Sequence, residues 1–249
     1  MGAAMRIWIA IFISGLMSCE ALAGGFSSFE LQSAASYAYG RSKAPDGSNA
    51  ERFELRAGDC TTSNGDCRDD RERVERSENL PASTLGREYW YHFSVFIPKD
   101  WPQTGPLNTK LGQFHQKGFG KGPVLFQILN GQYIFELSNP AVRQASPMAP
   151  LKPLRQVALV SASSMKGRWT DVTVNAKWSQ SSDGFIKVWV NGAQKVNLHG
   201  PNIDRNTAVY FKYGIYRSFV SRAKGKPLPT LVAWYRDINR GSSRESVEK

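Results

Sequence analysis

Glu88-Tyr-Trp-Tyr-His-Phe-Ser-Val-Phe-Ile97 alternates large apolar and polar side chains over ten positions. In an extended chain successive side chains point to opposite faces. Tyr89, Tyr91, Phe93, Val95 and Ile97 then share a core face, while Glu88, Trp90, His92 and Ser94 face away. Pro98 and Pro102 stop the run. Working outward, further strands are expected at Phe26 to Leu31, Arg52 to Arg56, Lys110 to Gln116, Val124 to Leu129 and Gln132 to Leu137. A meander and two last strands follow at Trp169 to Trp178, Phe185 to Val190, Gln194 to Leu198, Tyr210 to Ser218 and Leu231 to Ile238. Asn130-Gly131, Asp183-Gly184 and Asn191-Gly192 are the dipeptides that close tight hairpins. No stretch longer than about ten residues carries a helical period. Ten to fourteen short strands of this kind predict an all-β fold, a β-jelly-roll sandwich (concanavalin-like) with antiparallel sheets and a concave groove; a barrel shares the pattern.

The 249 residues are enough for one large β domain. Arg6 precedes the apolar run Ile7 to Met17, and Ala21-Leu-Ala23 offers a small-x-small cleavage site, so residues 1–23 read as a secretory signal. Leu16-Met-Ser-Cys19 is the competing lipoprotein reading, with Cys19 as anchor. Residues 24–240 form the single expected domain, residues 138–166 a long proline-bearing loop, and residues 241–249 a polar, disordered tail. Cleavage after Ala23 leaves Cys60 and Cys67 as the only cysteines. In an exported chain they are expected to form a disulfide. Closing that loop is worth about 2.5 kcal/mol on the chain-entropy estimate.

Thirty-two Lys and Arg against 21 Asp and Glu give a net charge of +11. A strongly basic chain favours polyanions. Export makes an acidic polysaccharide a more natural partner than nucleic acid. The charged run Arg68 to Glu78 reads on its own as a solvated face.

Three separated stretches carry chemistry. On Tyr210-Phe-Lys-Tyr-Gly-Ile-Tyr216, Tyr210, Lys212, Gly214 and Tyr216 share a face. Gln113 and His115 flank Phe114 in the same way, and Arg76-Ser-Glu78 ends the charged run. Together these resemble the signature blocks of jelly-roll alginate lyases: an Arg-Ser/Thr-Glu-Leu-Arg strand, a Gln-Ile/Val-His strand and Tyr-Phe-Lys-Ala-Gly-x-Tyr, with Tyr213 replacing the Ala. The wider pattern resembles the heparin lyase I and glucuronan lyase family over about residues 50 to 240. It includes Glu75-Arg-Ser-Glu78, Tyr89-Trp-Tyr91, Lys110-Leu-Gly-Gln-Phe-His115, Trp169-Thr-Asp171 and Asp183 to Gly192. Arg52-Phe-Glu-Leu-Arg56 is a rival for the arginine block; Arg76 is preferred for its adjacent Ser, although the family's following Leu-Arg is absent.

The resemblance implies β-elimination on a uronate-containing polymer, glucuronan- or heparin-like or alginate. Gln113 and Arg76 are expected to neutralise the carboxylate, and His115 or Tyr216 to take the C5 proton. Tyr216 would protonate the departing O4, with Lys212 lowering its pKa. Arg73, Glu78, Arg56, Lys212 and Tyr210 are expected to bind substrate. Gly214 would let a sugar approach the backbone, and His92 and His199 are structural. The resemblance implies a metal-free mechanism and leaves a structural calcium open. Other expectations are a monomer, secreted or periplasmic, with no nucleic acid and no membrane after signal cleavage. A non-catalytic carbohydrate-binding jelly roll is the alternative function.

Overall fold

The computed structural model describes residues 25–79, 83–118, 120–146, 149 and 151–248. The expected signal, residues 1–23, and Cys19 lie outside them. Fourteen strands run in chain order: β1 (Phe29–Gln32), β2 (Tyr39–Lys43), β3 (Asn49–Leu55), β4 (Arg71–Glu78), β5 (Glu88–Ile97), β6 (Asn108–Gln116) and β7 (Val124–Leu129). Then come β8 (Gln132–Ser138), β9 (Pro153–Ser161), β10 (Arg168–Lys177), β11 (Phe185–Val190), β12 (Ala193–His199), β13 (Val209–Ser218) and β14 (Leu231–Gly241). They form two seven-stranded sheets, a front sheet β1-β4-β13-β6-β7-β8-β9 and a back sheet β12-β11-β10-β5-β14-β3-β2. Every pairing within them is antiparallel. This is the jelly-roll sandwich that the alternation predicts.

Between the sheets, Phe53, Tyr91, Phe93, Phe114, Phe126, Phe135, Phe211 and Tyr213 form one buried aromatic cluster. Aromatics of this size dominate core energetics through the area they remove from water. Asn130 and Gly131 both take positive φ (50° and 75°), the conformation a two-residue hairpin needs, and so fix the β7–β8 register.

Four expectations need correction. Arg68 to Glu78 is not a solvated face: β4 is an interior strand, and six of its eight residues are buried because its charges pair with neighbouring strands. The expected loop at 138–166 contains β9, an edge strand whose outward positions are too exposed to alternate cleanly in hydropathy. The polar tail is ordered through residue 248: Val247 is fully buried, and the Glu248 carboxylate accepts a 2.5 Å hydrogen bond from Thr173 Oγ1.

The fourth is Gly214, which gives no sugar access. A Cβ there would lie 2.3 Å from the Val74 carbonyl oxygen and 3.0 Å from the Phe53 ring, on a backbone with φ +129°. Glycine is required because β4 passes too close. Gly214→Ala is therefore expected to lower stability by about 2 kcal/mol or more, read as a lower urea midpoint at unchanged slope. Close to this point β13 and β6 both change register. The buried Tyr235 hydroxyl, from β14 of the back sheet, reaches the carbonyls of Leu111 (2.8 Å) and Gly214 (2.7 Å) there.

Candidate active site

β13 lies between β4 and β6, so its outward side chains are flanked on both sides. The register opposes Lys212 to Ser77 and Gln113, Tyr216 to Arg73 and Lys110, and Tyr210 to His115. The outer face of the front sheet carries a groove of about 550 Å³ lined by Arg73, Lys110, Gln113, His115, Tyr210, Lys212, Tyr216 and Ser218. Lys121, Glu136 and Gln156 line its far side, and Asn64 and Arg68 border it from the disulfide region.

His115 Nδ1 lies 2.7 Å from the Gln116 carbonyl oxygen and 3.1 Å from the Tyr210 hydroxyl. A carbonyl can only accept, so Nδ1 carries the hydrogen and Nε2 keeps its lone pair. Burial, then the nearby Lys212 charge, push the imidazole down to about 4. It is a neutral base at ordinary pH.

Tyr216 is 7% exposed, and among the described residues no group hydrogen-bonds its hydroxyl. The Arg73 guanidinium sits 4.4 Å from its ring centroid and Lys110 Nζ 4.5 Å. Burial pushes Tyr216 up to about 12 against the opposing pull of Arg73 and Arg71. The phenol keeps its proton and can donate it.

Glu75 organises the floor. Its carboxylate, 1% exposed, accepts from Gln113 Nε2 (2.6 Å) and pairs with Lys212 Nζ (2.8 Å) and Arg73 Nη1 (3.2 Å). Burial disfavours the charge, but Lys212 and Arg73 outweigh it and hold Glu75 below the usual carboxylate range. Burial lowers Lys212 to about 8. Arg73 is further clamped by Asp66, with Nη2 and Nε at 2.5 and 2.6 Å from its two oxygens. Asp66 is fully buried and lies in the loop closed by the Cys60–Cys67 disulfide, with Thr61 Oγ1 donating to it at 2.6 Å. Among the described residues no group of three or more His, Cys, Asp or Glu side chains is arranged to hold a metal ion.

A polysaccharide lyase family profile matches residues 22–239, most of the chain. The chain belongs to the polysaccharide lyases. It superposes on the endo-β-1,4-glucuronan lyase of the fungus Trichoderma reesei with a TM-score of 0.65 at 19% identity, covering 89% of this chain and 93% of that one. A family 7 alginate lyase, A1-II', in complex with a GGMG substrate gives 0.57 at 16% identity, with 87% and 85% covered. The family 7 alginate lyase AlgAT5 gives 0.53 at 17% identity, with 78% of each chain covered. At these identities the likeness establishes the fold. No curated protein sequence matches the chain.

In this lyase Gln113, His115, Tyr216, Lys212, Arg73 and Tyr210 converge in the groove as expected from their spacing. Arg76, Glu78 and Arg56 do not. Strand alternation sends Arg76 inward, opposite Tyr213, where Nη1 binds Glu51 (2.8 Å) and the Tyr213 hydroxyl (3.2 Å). Glu78 is buried against Arg240 (2.7 Å) and accepts from the Phe211 amide. Arg56 follows β3 of the back sheet, pairs with Glu54 at 2.6 Å and covers the Tyr37 ring. The groove arginine of the block is therefore Arg73, with Glu75 two residues on. Lys212 is tied to Glu75 rather than to the phenol, so Arg73 and Lys110 replace it as the charges at Tyr216. Glu75, Asp66 and Lys110 were missed. For Glu75 the signal was parity, since Arg71, Arg73 and Glu75 share one face of β4. His92 is buried on the back sheet beside Thr173 (3.0 Å), and His199 ends β12; neither lines the groove.

Proposed function

We propose that this lyase cleaves an acidic, uronate-containing polysaccharide by β-elimination and does so outside the cytoplasm. The observation that carries the reading is one wall of one basic groove holding a neutral imidazole with its Nε2 lone pair free, a carboxamide, and a protonated tyrosine whose hydroxyl has no described partner. The C5 proton passes to His115 Nε2, and the C–H electron pair becomes the C4–C5 double bond. The C4–O4 bond breaks, and O4 takes the Tyr216 proton. Gln113, Lys212 and Arg73 offset the negative charge that builds on the carboxylate as the proton leaves. Where H5 and O4 lie on the same side, as in D-glucuronate, the Tyr216 oxygen takes the C5 proton in place of His115 as its own proton passes to O4. Where they lie opposite, as in L-guluronate, His115 is the base and Tyr216 the acid. These roles fall to side chains throughout, so activity is expected to survive treatment with a chelator.

The Cys60–Cys67 bond and the leader-like Arg6 to Ala23 segment support export. Incubation with glucuronan, alginate and heparin is expected to raise the ultraviolet absorbance of the unsaturated uronate on at least one of them. A protein that retains these polymers on a column and produces no absorbance on any is a binding protein, and the elimination reading then fails.

A further inference from the structure

The groove's cations are mostly neutralised by the protein itself. Arg73 has Asp66 and Glu75, Lys212 has Glu75, Lys121 has Glu136, and Arg68 has Asp69. Lys110 differs. Its ammonium donates to Ser218 Oγ and stands over the Tyr216 ring, and among the described residues no carboxylate pairs with it. Lys110 is only 5% exposed and Ser218 4%, yet both line the groove. A buried cation without a counter-ion is costly. Burial, with Lys121 and Arg71 adding like charge, pushes Lys110 down to about 7, as expected for an ammonium lacking its anion.

Position along β13 says which anion fits. The register runs from Lys212 opposite Gln113, through Tyr216 opposite Lys110, to Ser218 opposite Asn108. The ammonium bends toward Ser218, past Tyr216 and away from Gln113. Six residues of strand span about 20 Å, room for more than one sugar ring. If elimination proceeds as proposed above, the reacting carboxylate lies at Gln113 and Lys212, and O4 lies at Tyr216. The sugar that departs with O4 then rests beyond Tyr216.

We propose that Lys110 and Ser218 form a carboxylate-binding subsite for the departing sugar, so that the enzyme selects polymers with consecutive uronates. This inference rests on the β-elimination reading. A polymer alternating uronate with a neutral hexosamine presents no carboxylate at that position and leaves the buried ammonium unpaired, the situation in which a polar site discriminates most strongly.

Two unsulfated polymers test it, because both offer D-glucuronate as the reacting sugar. One is glucuronan; the other alternates D-glucuronate with N-acetylglucosamine, which is then the departing residue. Alginate serves as a second polymer of consecutive uronates. The wild type is expected to cleave glucuronan or alginate with a kcat/KM at least about tenfold above that for the alternating polymer. Lys110→Met should lose at least about tenfold more on the consecutive-uronate polymer than on the alternating one, because the loss of its charge beside Tyr216 is common to both, with partial rescue in Lys110→Arg. Ser218→Ala gives the same direction with a smaller change and is the control should Lys110→Met fail to fold. Equal cleavage of the two polymer types by the wild type overturns the proposal. So does an unchanged kcat/KM in Lys110→Met, or an equal loss on both polymers, which would place Lys110 in service of Tyr216 alone. If no uronate polymer is cleaved, the elimination reading fails first. Calorimetric binding of a glucuronate oligosaccharide then decides the subsite separately: affinity undiminished in Lys110→Met overturns it.

Discussion

Tyr216→Phe is expected to lower kcat at least about 100-fold on every polymer the enzyme cleaves, with the melting temperature little changed. Proton transfer by a positioned side chain is worth about 10² to 10⁴ in rate. The substitution removes only the hydroxyl, which has no described partner, and keeps the ring between Arg73 and Lys110. A folded variant that retains more than about a tenth of wild-type kcat removes Tyr216 from the chemistry. His115→Ala refines the same test. It should cost at least about 100-fold where H5 and O4 lie on opposite sides, and distinctly less where they lie on the same side and Tyr216 acts at both. Because burial holds His115 at about 4, well below the ordinary imidazole value, its base form survives in mild acid. The acid limb of kcat/KM is expected near pH 4, falling as protonation removes the lone pair. The corresponding stability term has the same sign: it is complete above the unfolded imidazole's pKa near 6.5 and lost as pH falls toward 4.

Arg73→Met is expected to be the most damaging single change, costing about 3–5 kcal/mol of stability, the range for removing one member of a buried ion network. It leaves Asp66 (0% exposed) and Glu75 (1% exposed) facing each other without the guanidinium that lies between them. It also takes a positive charge from beside the Tyr216 ring. Urea denaturation and kcat on the same preparation separate the two effects. The double variant Arg73→Met/Asp66→Leu should recover part of the stability, because it removes a stranded charge, and none of the turnover. Recovery of both would make Arg73 purely structural.

Much of this was legible from alternation. Glu88 to Ile97 is β5 to the residue, and the Asn-Gly and Asp-Gly turns fall between the strands they were expected to join. Gln113, His115, Lys212 and Tyr216 were found by type and spacing, and parity placed each on the groove face. What failed was hydropathy where charge is buried. Arg71 to Glu78 looks like surface, yet it is an interior strand whose ions are matched across β13 and the disulfide loop, and such matching is a property of the folded neighbours. The same blindness gave Arg76 the carboxylate: its adjacent Ser was read as a motif, whereas the strand's period of two, counted from the partner of Tyr216, points to Arg73. Edge strand β9 was missed for the opposite reason, since open exposure erases the alternation that marks half-buried strands.

The Tyr235 hydroxyl belongs to a layer that contributes no side chain to the groove, yet it ends on the backbone between groove residues, at Leu111 and Gly214. A hydroxyl has one hydrogen to share between those two oxygens. The strands bearing Lys110 and Tyr216 thus share one polar post from the back sheet. The spacing of the groove side chains is consequently inherited from how the two layers clasp each other, and remoteness from the groove is no guide to whether a substitution in this molecule is silent.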